Sequence, residues 1–261
     1  MNIEDRIIDL LTDEFGDSKN RGFRALSEYK YQGINVPRVT VILQSTEFDK
    51  ALLNWVNFIG FKHIDYKQML DNASLIGRQT HSFIESFIQQ KENYKAPVRT
   101  EVVNCTNAFK DWWRQLNFSY SVKVIAEEQP LTCPWFGGTF DLLLEIDGKR
   151  TLIDFKTSNH ITFRYFIQLA AYKYLIQYNY NMPIDAACIL RMDKENAQYE
   201  MAAIDLSNEY DNLFMEHCTY TFFSQLNTYY AIARTKHEFN KLYKKDALNT
   251  TEIKEEGNSN V

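Results

Sequence analysis

The chain has 261 residues, with 29 basic and 34 acidic side chains and a formal net charge of −5 at pH 7. Hydrophobic residues make up 45% of it and glycine and proline number only 9 and 5, which argues against a disordered or fibrous chain and predicts one large domain with a proper core. The negative balance lacks the basic character typical of nucleic-acid-binding proteins, so such binding would need a local basic patch or metal ions that offset phosphate charge.

Apolar residues recur at the spacing of a helix in four stretches of the first half of the chain. These stretches cover residues 3–15, 47–60, 72–91 and 106–117. Between the first two, residues 17–38 are polar and mixed, and Val39, Val41 and Leu43 then alternate over a short stretch with the period of a strand. Residues 1–118 are therefore predicted to form a helical N-terminal region.

The period changes to two in the second half, which indicates strands. Five strands are predicted, over residues 121–129, 136–146, 149–157, 186–192 and 199–204, and helical spacing returns over 163–179 and 207–243. Asp147-Gly148, between the second and third strands, is typical of a hairpin turn. The order predicts an α/β (α+β) fold, with a core sheet and helix over 119–205 and helices added at both ends. The domain is predicted to span 1–248, with a C-terminal helical region from 206 and a disordered polar tail over 249–261.

The chain carries no obvious membrane or cluster motif. No basic-then-apolar leader opens it, and no apolar run approaches the ~18 residues that a transmembrane helix needs, so no membrane contact is expected. Four widely scattered cysteines form no C-x-x-C pair: Cys105, Cys133, Cys188 and Cys218. This spacing favours reduced thiols in a cytoplasm over structural zinc, an iron–sulfur cluster or a disulfide scaffold.

Two charged residues interrupt an apolar strand. Residues two apart on a strand point to the same face, so Asp154 and Lys156 are expected to project together while Phe155 points into the core. Asp141 lies on the preceding strand, and the hairpin should bring it back toward Asp154. Two carboxylates and one ammonium are thus predicted to converge, at a place where charge is expensive to bury unless it is used.

The D/E-x-K spacing alone is uninformative, because it occurs six times in this chain. The pairs are Asp17–Lys19, Glu28–Lys30, Asp65–Lys67, Asp147–Lys149, Asp154–Lys156 and Glu252–Lys254. Only Asp154–Lys156 lies in an apolar strand that follows another apolar strand with its own aspartate. That context suits phosphodiester hydrolysis, since Mg²⁺ takes carboxylate oxygens, water and phosphate as ligands, and a nearby lysine orients or deprotonates the water and stabilises developing charge.

Two helical pairs could add to this group. His81 and Glu85 share a helix face in a stretch that opens or enters a helix after Gly77, and His81 is either a further metal ligand or a partly buried histidine bonded to Glu85. Gln168 and Tyr172 likewise share a face on the helix after Lys156, which either faces the site or reflects ordinary amphipathicity.

Taken together and in chain order, these residues resemble the PD-(D/E)xK nuclease superfamily, in particular its RecB-like branch of phage and mitochondrial-maintenance exonucleases. The matching positions are Gly77, His81, Glu85, Glu128, Gly138-Thr139-Phe140-Asp141, Asp154-Phe155-Lys156-Thr157, Gln168 and Tyr172. Pro37-Arg38-Val39-Thr40 and Leu53-Asn54-Trp55 are also similar to the N-terminal helical region of the phage members.

The resemblance implies a restriction-endonuclease-like core, a central mixed sheet flanked by helices. It implies Asp141, Asp154 and Lys156 as catalytic residues, and a metal bound by His81, Asp141, Asp154 and the Phe155 carbonyl. Thr157, Ser158, Gln168 and Tyr172 would contact or organise DNA, and either Glu127 or Glu128 would occupy the first core strand, with Glu85 in support. Some relatives carry an iron–sulfur cluster, but the cysteines of this chain lack the C-terminal spacing that binds it, and no Walker A motif is present.

The function expected from this resemblance is a Mg²⁺-dependent DNA exonuclease in which Mn²⁺ substitutes for Mg²⁺. It would act in DNA recombination, repair or phage DNA processing, in a bacterial or phage-infected cytoplasm, with DNA and a single-strand annealing or other recombination protein as partners. Two alternatives stay open at this point: a structure-specific or restriction-type endonuclease on the same core, and a catalytically inactive DNA-binding module.

Overall fold

A computed structural model of the chain describes residues 29–45, 50–62, 65–91 and 97–256, and for residues 50–55 and 244–256 it describes the backbone alone. The helix expected over residues 3–15 lies outside these ranges. The elements of the N-terminal part are strands β1 (Lys30–Tyr31) and β2 (Ile34–Asn35), followed by helices α1 (Val39–Ser45), α2 (Lys50–Phe61), α3 (Tyr66–Ile88) and α4 (Thr100–Ser119). Three of the predicted helices are thereby confirmed, with α3 and α4 each starting about six residues earlier than expected.

The alternating stretch at Val39–Leu43 is helical, which corrects the strand period expected there. Val39 and Ile42, three residues apart, are both buried in a cluster with residues of the sheet and of later helices. Burial of these two side chains on one helix face outweighs the intrinsic β preference of the branched residues.

A five-stranded mixed sheet forms the centre of the protein. Its strands are β3 (Val122–Thr132), β4 (Gly137–Ile146), β5 (Lys149–Lys156), β6 (Ala186–Met192) and β7 (Tyr199–Asp205), and they lie in chain order. All neighbours are antiparallel except β5 and β6, which pair in parallel through the crossover helix α5 (Phe163–Tyr180). The predicted fold class, a central mixed sheet flanked by helices, is confirmed.

The predicted hairpin turn is present between β4 and β5. Ile146 pairs with Lys149, which leaves Asp147 and Gly148 as the two loop residues, with φ of 48° and 83°. Positive φ at both positions is the conformation that lets a two-residue turn match the twist of its strands, and Asp-Gly tolerates it best. The turn sets the register that brings Asp141 opposite the end of β5.

The sheet is covered on both faces by apolar clusters. One cluster joins the sheet to α1, α5 and the last helix, α6 (Glu209–Glu256), and includes Leu152. The other joins it to α3 and α4 and includes Ile153 and Phe155. Two-sided burial explains why β5 is apolar at nearly every position and why charges in it are informative.

Helix α6 is one continuous helix to Glu256, where a disordered tail was expected from about residue 249. Residues 257–261 lie outside the described ranges. The polar segment lacks glycine and proline until Gly257, so nothing in its backbone chemistry ends the helix earlier. Across the described residues, no helix combines the length and apolar character needed to cross a bilayer. All four cysteines are buried free thiols.

Candidate metal centre

The hydrogen-bonded ladder between β4 and β5 ends before the strands do. Its last pair is Leu142 with Ile153, although β5 runs on to Lys156. Beyond this pair the Phe155 amide donates a 2.6 Å hydrogen bond to Oδ2 of Asp141, so a side-chain carboxylate satisfies a buried backbone donor. The two strands thus separate at the level of Asp141 and Asp154, which the sequence predicted to lie side by side.

His81 reaches this point from α3. Its Nε2 atom lies 3.2 Å from the carbonyl oxygen of Phe155, and its Nδ1 atom lies 3.4 Å from Oδ1 of Asp141 and 3.5 Å from Oε1 of Glu128. The helix begins at Tyr66, capped by the Asp65 side chain, so His81 lies well inside it and not near its start as expected. The His81 ring is therefore carried by the interior of helix α3, where the backbone is rigid.

Of the two adjacent glutamates on β3, Glu127 and Glu128, it is Glu128 that contacts His81. The Glu128 φ of +41° is rare for a residue with a side chain, and β3 shifts its register against β4 shortly before it. Glu128 contacts His81, whereas Glu127 pairs across the sheet with Leu142. Burial raises the pKa of the Glu127 carboxyl, and its Oε2 atom has no hydrogen-bond partner.

Three side chains here could hold a metal ion. His81, Glu128 and Asp141 each offer one ligand atom, and these atoms all lie within 4.8 Å of one another. The Phe155 carbonyl oxygen lies against the other nitrogen of the same imidazole, and its predicted role as a metal ligand stays a prediction. The two carboxylates and the imidazole form a donor set that suits a divalent cation such as Mg²⁺ or, because of the imidazole, Mn²⁺.

Without a metal ion, protonated His81 offsets part of the negative charge of the two carboxylates. Burial lowers the pKa of His81, but the charges and hydrogen bonds of Asp141 and Glu128 outweigh it and raise the pKa to about 10. Burial also acts to raise the pKa of Asp141, yet the nearby His81 and Lys156 charges and the Phe155 amide bring it below its ordinary value. The imidazolium held between two carboxylates contributes to both pKa shifts.

Asp154 and Lys156 share the opposite face of β5 from Phe155, as predicted. The Lys156 Nζ atom lies 2.5 Å from Oδ2 of Asp154, so the two side chains form a close ion pair. Burial, partly opposed by Lys156, raises the pKa of Asp154 to about 6. Burial acts to lower the pKa of Lys156, but the aspartates reverse this and raise it, so the side chain is a cation.

Helix α5 closes this face with Tyr172 and Gln168. The Gln168 side-chain amide donates to the Tyr172 hydroxyl at 2.8 Å, and Tyr172 is almost fully buried. A Cβ on Gly138 would lie 2.7 Å from the Tyr172 ring and 3.1 Å from Val39, so only glycine lets β4 approach α5 this closely. Tyr172 lies close to Asp154: burial raises the pKa of the Tyr172 hydroxyl, and the Asp154 charge raises it further.

The two polar residues after β5 are half-buried. Thr157 faces Gly77 of α3, where a Cβ would lie 3.6 Å from the threonine hydroxyl. The Ser158 hydroxyl donates to the His160 carbonyl, and the Ser158 carbonyl accepts from Arg191 at 3.3 Å. Their predicted role in DNA contact stays a prediction.

A groove of about 410 Å³ runs along α3 past the centre. Its lining residues are Gly77, Arg78, His81, Ser82, Glu85 and Glu128. Glu85 thus shares the groove with His81, but its own partners are Lys91, at 3.0 Å, and Gln89.

Sequence reasoning missed three contributors to the site. Arg191 ties the segment after β5 to β6, the Tyr165 ring lies 5.0 Å from the Lys156 ammonium, and Arg78 lines the groove. Arg191 could have been noticed because it follows an apolar run at the end of a predicted strand, as Lys156 does. No local pattern marks Tyr165 or Arg78.

No protein-family model matches this chain, and no curated protein matches it. Solved structures with similarity to it include the protein SSO0001, at 14% identity and a TM-score of 0.35 over 86% of this chain and 86% of that one. A phage-related exonuclease from Haemophilus somnus 129PT shows 10% identity and a TM-score of 0.32, covering 74% and 96%. An alkaline exonuclease from Laribacter hongkongensis shows 15% identity and a TM-score of 0.30, covering 64% and 86%. Similarity at this level assigns no activity to this chain.

Proposed function

We propose that the protein is a divalent-metal-dependent nuclease that hydrolyses phosphodiester bonds in DNA. One observation carries the proposal: His81, Glu128 and Asp141 meet at the point where β4 and β5 separate, with the Phe155 carbonyl on the other nitrogen of the His81 ring and the Asp154–Lys156 ion pair on the adjoining segment. Acidic metal ligands beside a lysine cation suit the hydrolysis of a phosphate diester, because together they stabilise the attacking oxygen and the phosphoryl oxygens.

The residues present fit a divalent cation. Asp154 would add a further buried carboxylate, and its charge and that of Asp141 repel each other, which a nearby divalent cation would relieve. Mg²⁺, with Mn²⁺ as a substitute, is the ion we assign. When bound, such an ion polarises a phosphoryl oxygen and lowers the pKa of a water ligand.

The protein side chains divide the remaining work. Asp141 is fixed by the Phe155 amide and His81 by three acceptors, so the ligand atoms are held in place before substrate arrives. Asp154 orients the Lys156 ammonium through their ion pair. Since the pKa of Lys156 is raised, this side chain acts as a cation that stabilises negative charge on the phosphate and orients the attacking water, and it does not serve as the base.

The finer assignments follow from the sequence resemblance. We assign exonuclease activity in DNA recombination, repair or phage DNA processing, with a recombination protein as partner. Thr157, Ser158, Gln168 and Tyr172 are assigned to organising the DNA beside the centre. An endonuclease on the same core would use the same residues, so the two differ only in whether cleavage needs a free DNA end.

A second function, an inactive DNA-binding module, is favoured by one observation. The His81 imidazolium lies between Asp141 and Glu128 and offsets one of their two negative charges, so part of the charge of the cluster is compensated without a metal ion. This alternative predicts DNA binding that neither needs Mg²⁺ nor leads to cleavage.

One assay separates these possibilities. End-labelled linear DNA and covalently closed circular DNA are incubated with the protein, each with Mg²⁺ and with chelator. An exonuclease degrades only the linear DNA and only with Mg²⁺, whereas an endonuclease also opens the circle. Absence of cleavage of either DNA in Mg²⁺ and in Mn²⁺ would contradict the proposed nuclease activity.

A further inference from the structure

Helix α3 presents two different faces. Ile76, Thr80, Phe83 and Ile84 are buried, whereas Arg78, His81, Ser82 and Glu85 line the groove. The second set follows the spacing i, i+3, i+4 and i+7, so its members lie along one side of the helix. Arg78 is one helical step of three residues from His81, about 4.5 Å along the axis. A nucleic-acid backbone that follows the groove from the metal centre therefore runs either past Arg78 or past Glu85.

The Arg78 side chain is exposed and, among the residues that the structure describes, makes no hydrogen bond or ion pair. The neighbouring cations differ from it in this respect. Lys91 is paired with Glu85 at 3.0 Å, and Lys156 is paired with Asp154. Arg78 is the one arginine or lysine among the six residues that line the groove, and no carboxylate of the described residues pairs with it.

The groove differs in charge along its length. Arg78, on the N-terminal side of His81, is a cation unpaired among the described residues. Glu85, one turn on the C-terminal side, is offset by Lys91, and Glu128 lies across from His81. A polyanion is therefore attracted most strongly to the Arg78 end. The guanidinium also suits phosphate in shape, because its planar fork donates two parallel hydrogen bonds to a pair of oxygens.

We infer that Arg78 binds a backbone phosphate of the DNA strand next to the scissile one, so that the strand leaves the metal centre over the Arg78 end of the groove. This inference rests on the proposed function, since DNA is taken as the substrate. The inference adds two points to the proposed function: the direction in which the DNA strand leaves the metal centre, and a residue, Arg78, that binds DNA without acting in the chemical step.

The test measures equilibrium binding of a fluorescent DNA oligonucleotide, without divalent cations, between about 50 and 200 mM KCl. Arg78→Gln removes the charge and keeps a polar side chain. Lys67→Gln is the matched control, because Lys67 is an exposed cation on the same helix and outside the groove. Arg78→Gln is expected to raise the Kd about tenfold and to reduce the slope of log Kd against log salt by about one. Lys67→Gln should leave both unchanged.

Two results would overturn the assignment. In the first, Arg78→Gln keeps the wild-type Kd and salt slope while thermal melting shows that it is folded. In the second, Lys67→Gln weakens binding as much as Arg78→Gln, which would make the effect one of overall charge.

Cleavage kinetics distinguish this inference from the proposed function. If the wild-type protein cuts DNA, Arg78→Gln should raise KM about tenfold and leave kcat within about twofold. An unchanged KM overturns the Arg78 assignment and leaves the nuclease standing. A wild-type protein that never cuts DNA, but whose DNA affinity depends on Arg78, overturns the nuclease and supports the Arg78 assignment.

Discussion

The Asp141 carboxylate accepts a hydrogen bond from the Phe155 amide at 2.6 Å. Phe155 lies two residues past Ile153, and Asp141 lies one residue before Leu142, the last residues that pair between β5 and β4. The bond performs two tasks. It replaces the ladder hydrogen bond that is lost where the strands separate, and it fixes Asp141 so that its second oxygen faces His81. The same interaction thus ends the strand pairing and orients a metal ligand, which makes the site dependent on the hairpin register.

Asp141→Asn and Glu128→Gln should each weaken Mn²⁺ or Mg²⁺ binding by at least about tenfold, because each removes a negative ligand and keeps the shape of the side chain. Asparagine at 141 still offers an oxygen to the Phe155 amide, so the fold should survive. Asp154→Asn is expected to weaken binding as well. Isothermal calorimetry measures the affinity, and Glu145→Gln on the same strand serves as the control. Unchanged affinity in both Asp141→Asn and Glu128→Gln would remove the proposed metal centre.

His81 should stay protonated well above the pH at which histidine normally titrates. Both ring nitrogens face oxygen acceptors, and the pKa is raised to about 10 from an ordinary value of 6.5. A raised pKa stabilises the fold fully below pH 6.5, and this contribution is lost as the pH rises through 10. The stability difference between wild type and His81→Gln in metal-free buffer should therefore shrink from pH 6.5 to 10. A difference that grows with pH would refute the imidazolium assignment.

Because metal binding must displace the His81 proton, the affinity for Mn²⁺ should rise with pH over the same range. Calorimetry in buffers of different ionisation enthalpy would count the protons released, with at least one expected at pH 8. His81→Gln should bind Mn²⁺ more weakly and with less proton release. If His81 is only a structural residue, the variant will lose thermal stability and retain the wild-type response to Mn²⁺.

Lys156→Ala should reduce cleavage by about 10²–10³ or more while metal binding persists, since its ammonium acts on the charge that develops in the reaction. The variant should also lose stability, up to about 3–5 kcal/mol, because the buried Asp154 carboxylate is left without its cation. The double variant Asp154→Asn with Lys156→Ala removes both charges and should recover much of the stability without the activity. Cleavage by Lys156→Ala at the wild-type rate would contradict the role of Lys156 in the chemical step.

Gly138→Ala should destabilise the protein by about 1–3 kcal/mol, as overpacking of a core does. The added methyl would lie 2.7 Å from the Tyr172 ring and 3.1 Å from Val39. Gly60→Ala is the control, since a Cβ there meets nothing within 4 Å and the residue lies in helix α2, where alanine should stabilise by about 1 kcal/mol. Urea unfolding of the two variants measures both effects, and equal stabilities would show that α5 does not constrain β4 at this point.

The parts of the site on β4 and β5 were accessible from the sequence because they depend on short-range geometry. Alternation along a strand has a period of two, so Asp154 and Lys156 had to share a face, and an Asp-Gly loop of two residues had to bring Asp141 back toward them. The same logic failed at Val39–Leu43, where an alternating pattern is helical because two of its residues are buried together.

The sequence by itself determined the order of elements, the hairpin and the pair of charges in an apolar strand, because these follow from neighbours along the chain. Only the tertiary structure decided how His81 meets the Phe155 carbonyl 74 residues away, that Glu128 and not Glu127 reaches the imidazole, and that Arg78 faces the same groove. The physical reason is packing. Which side of α3 meets the sheet depends on the apolar cluster that α3 and α4 share with β4, β5 and β6, and no local period encodes how two such surfaces fit together.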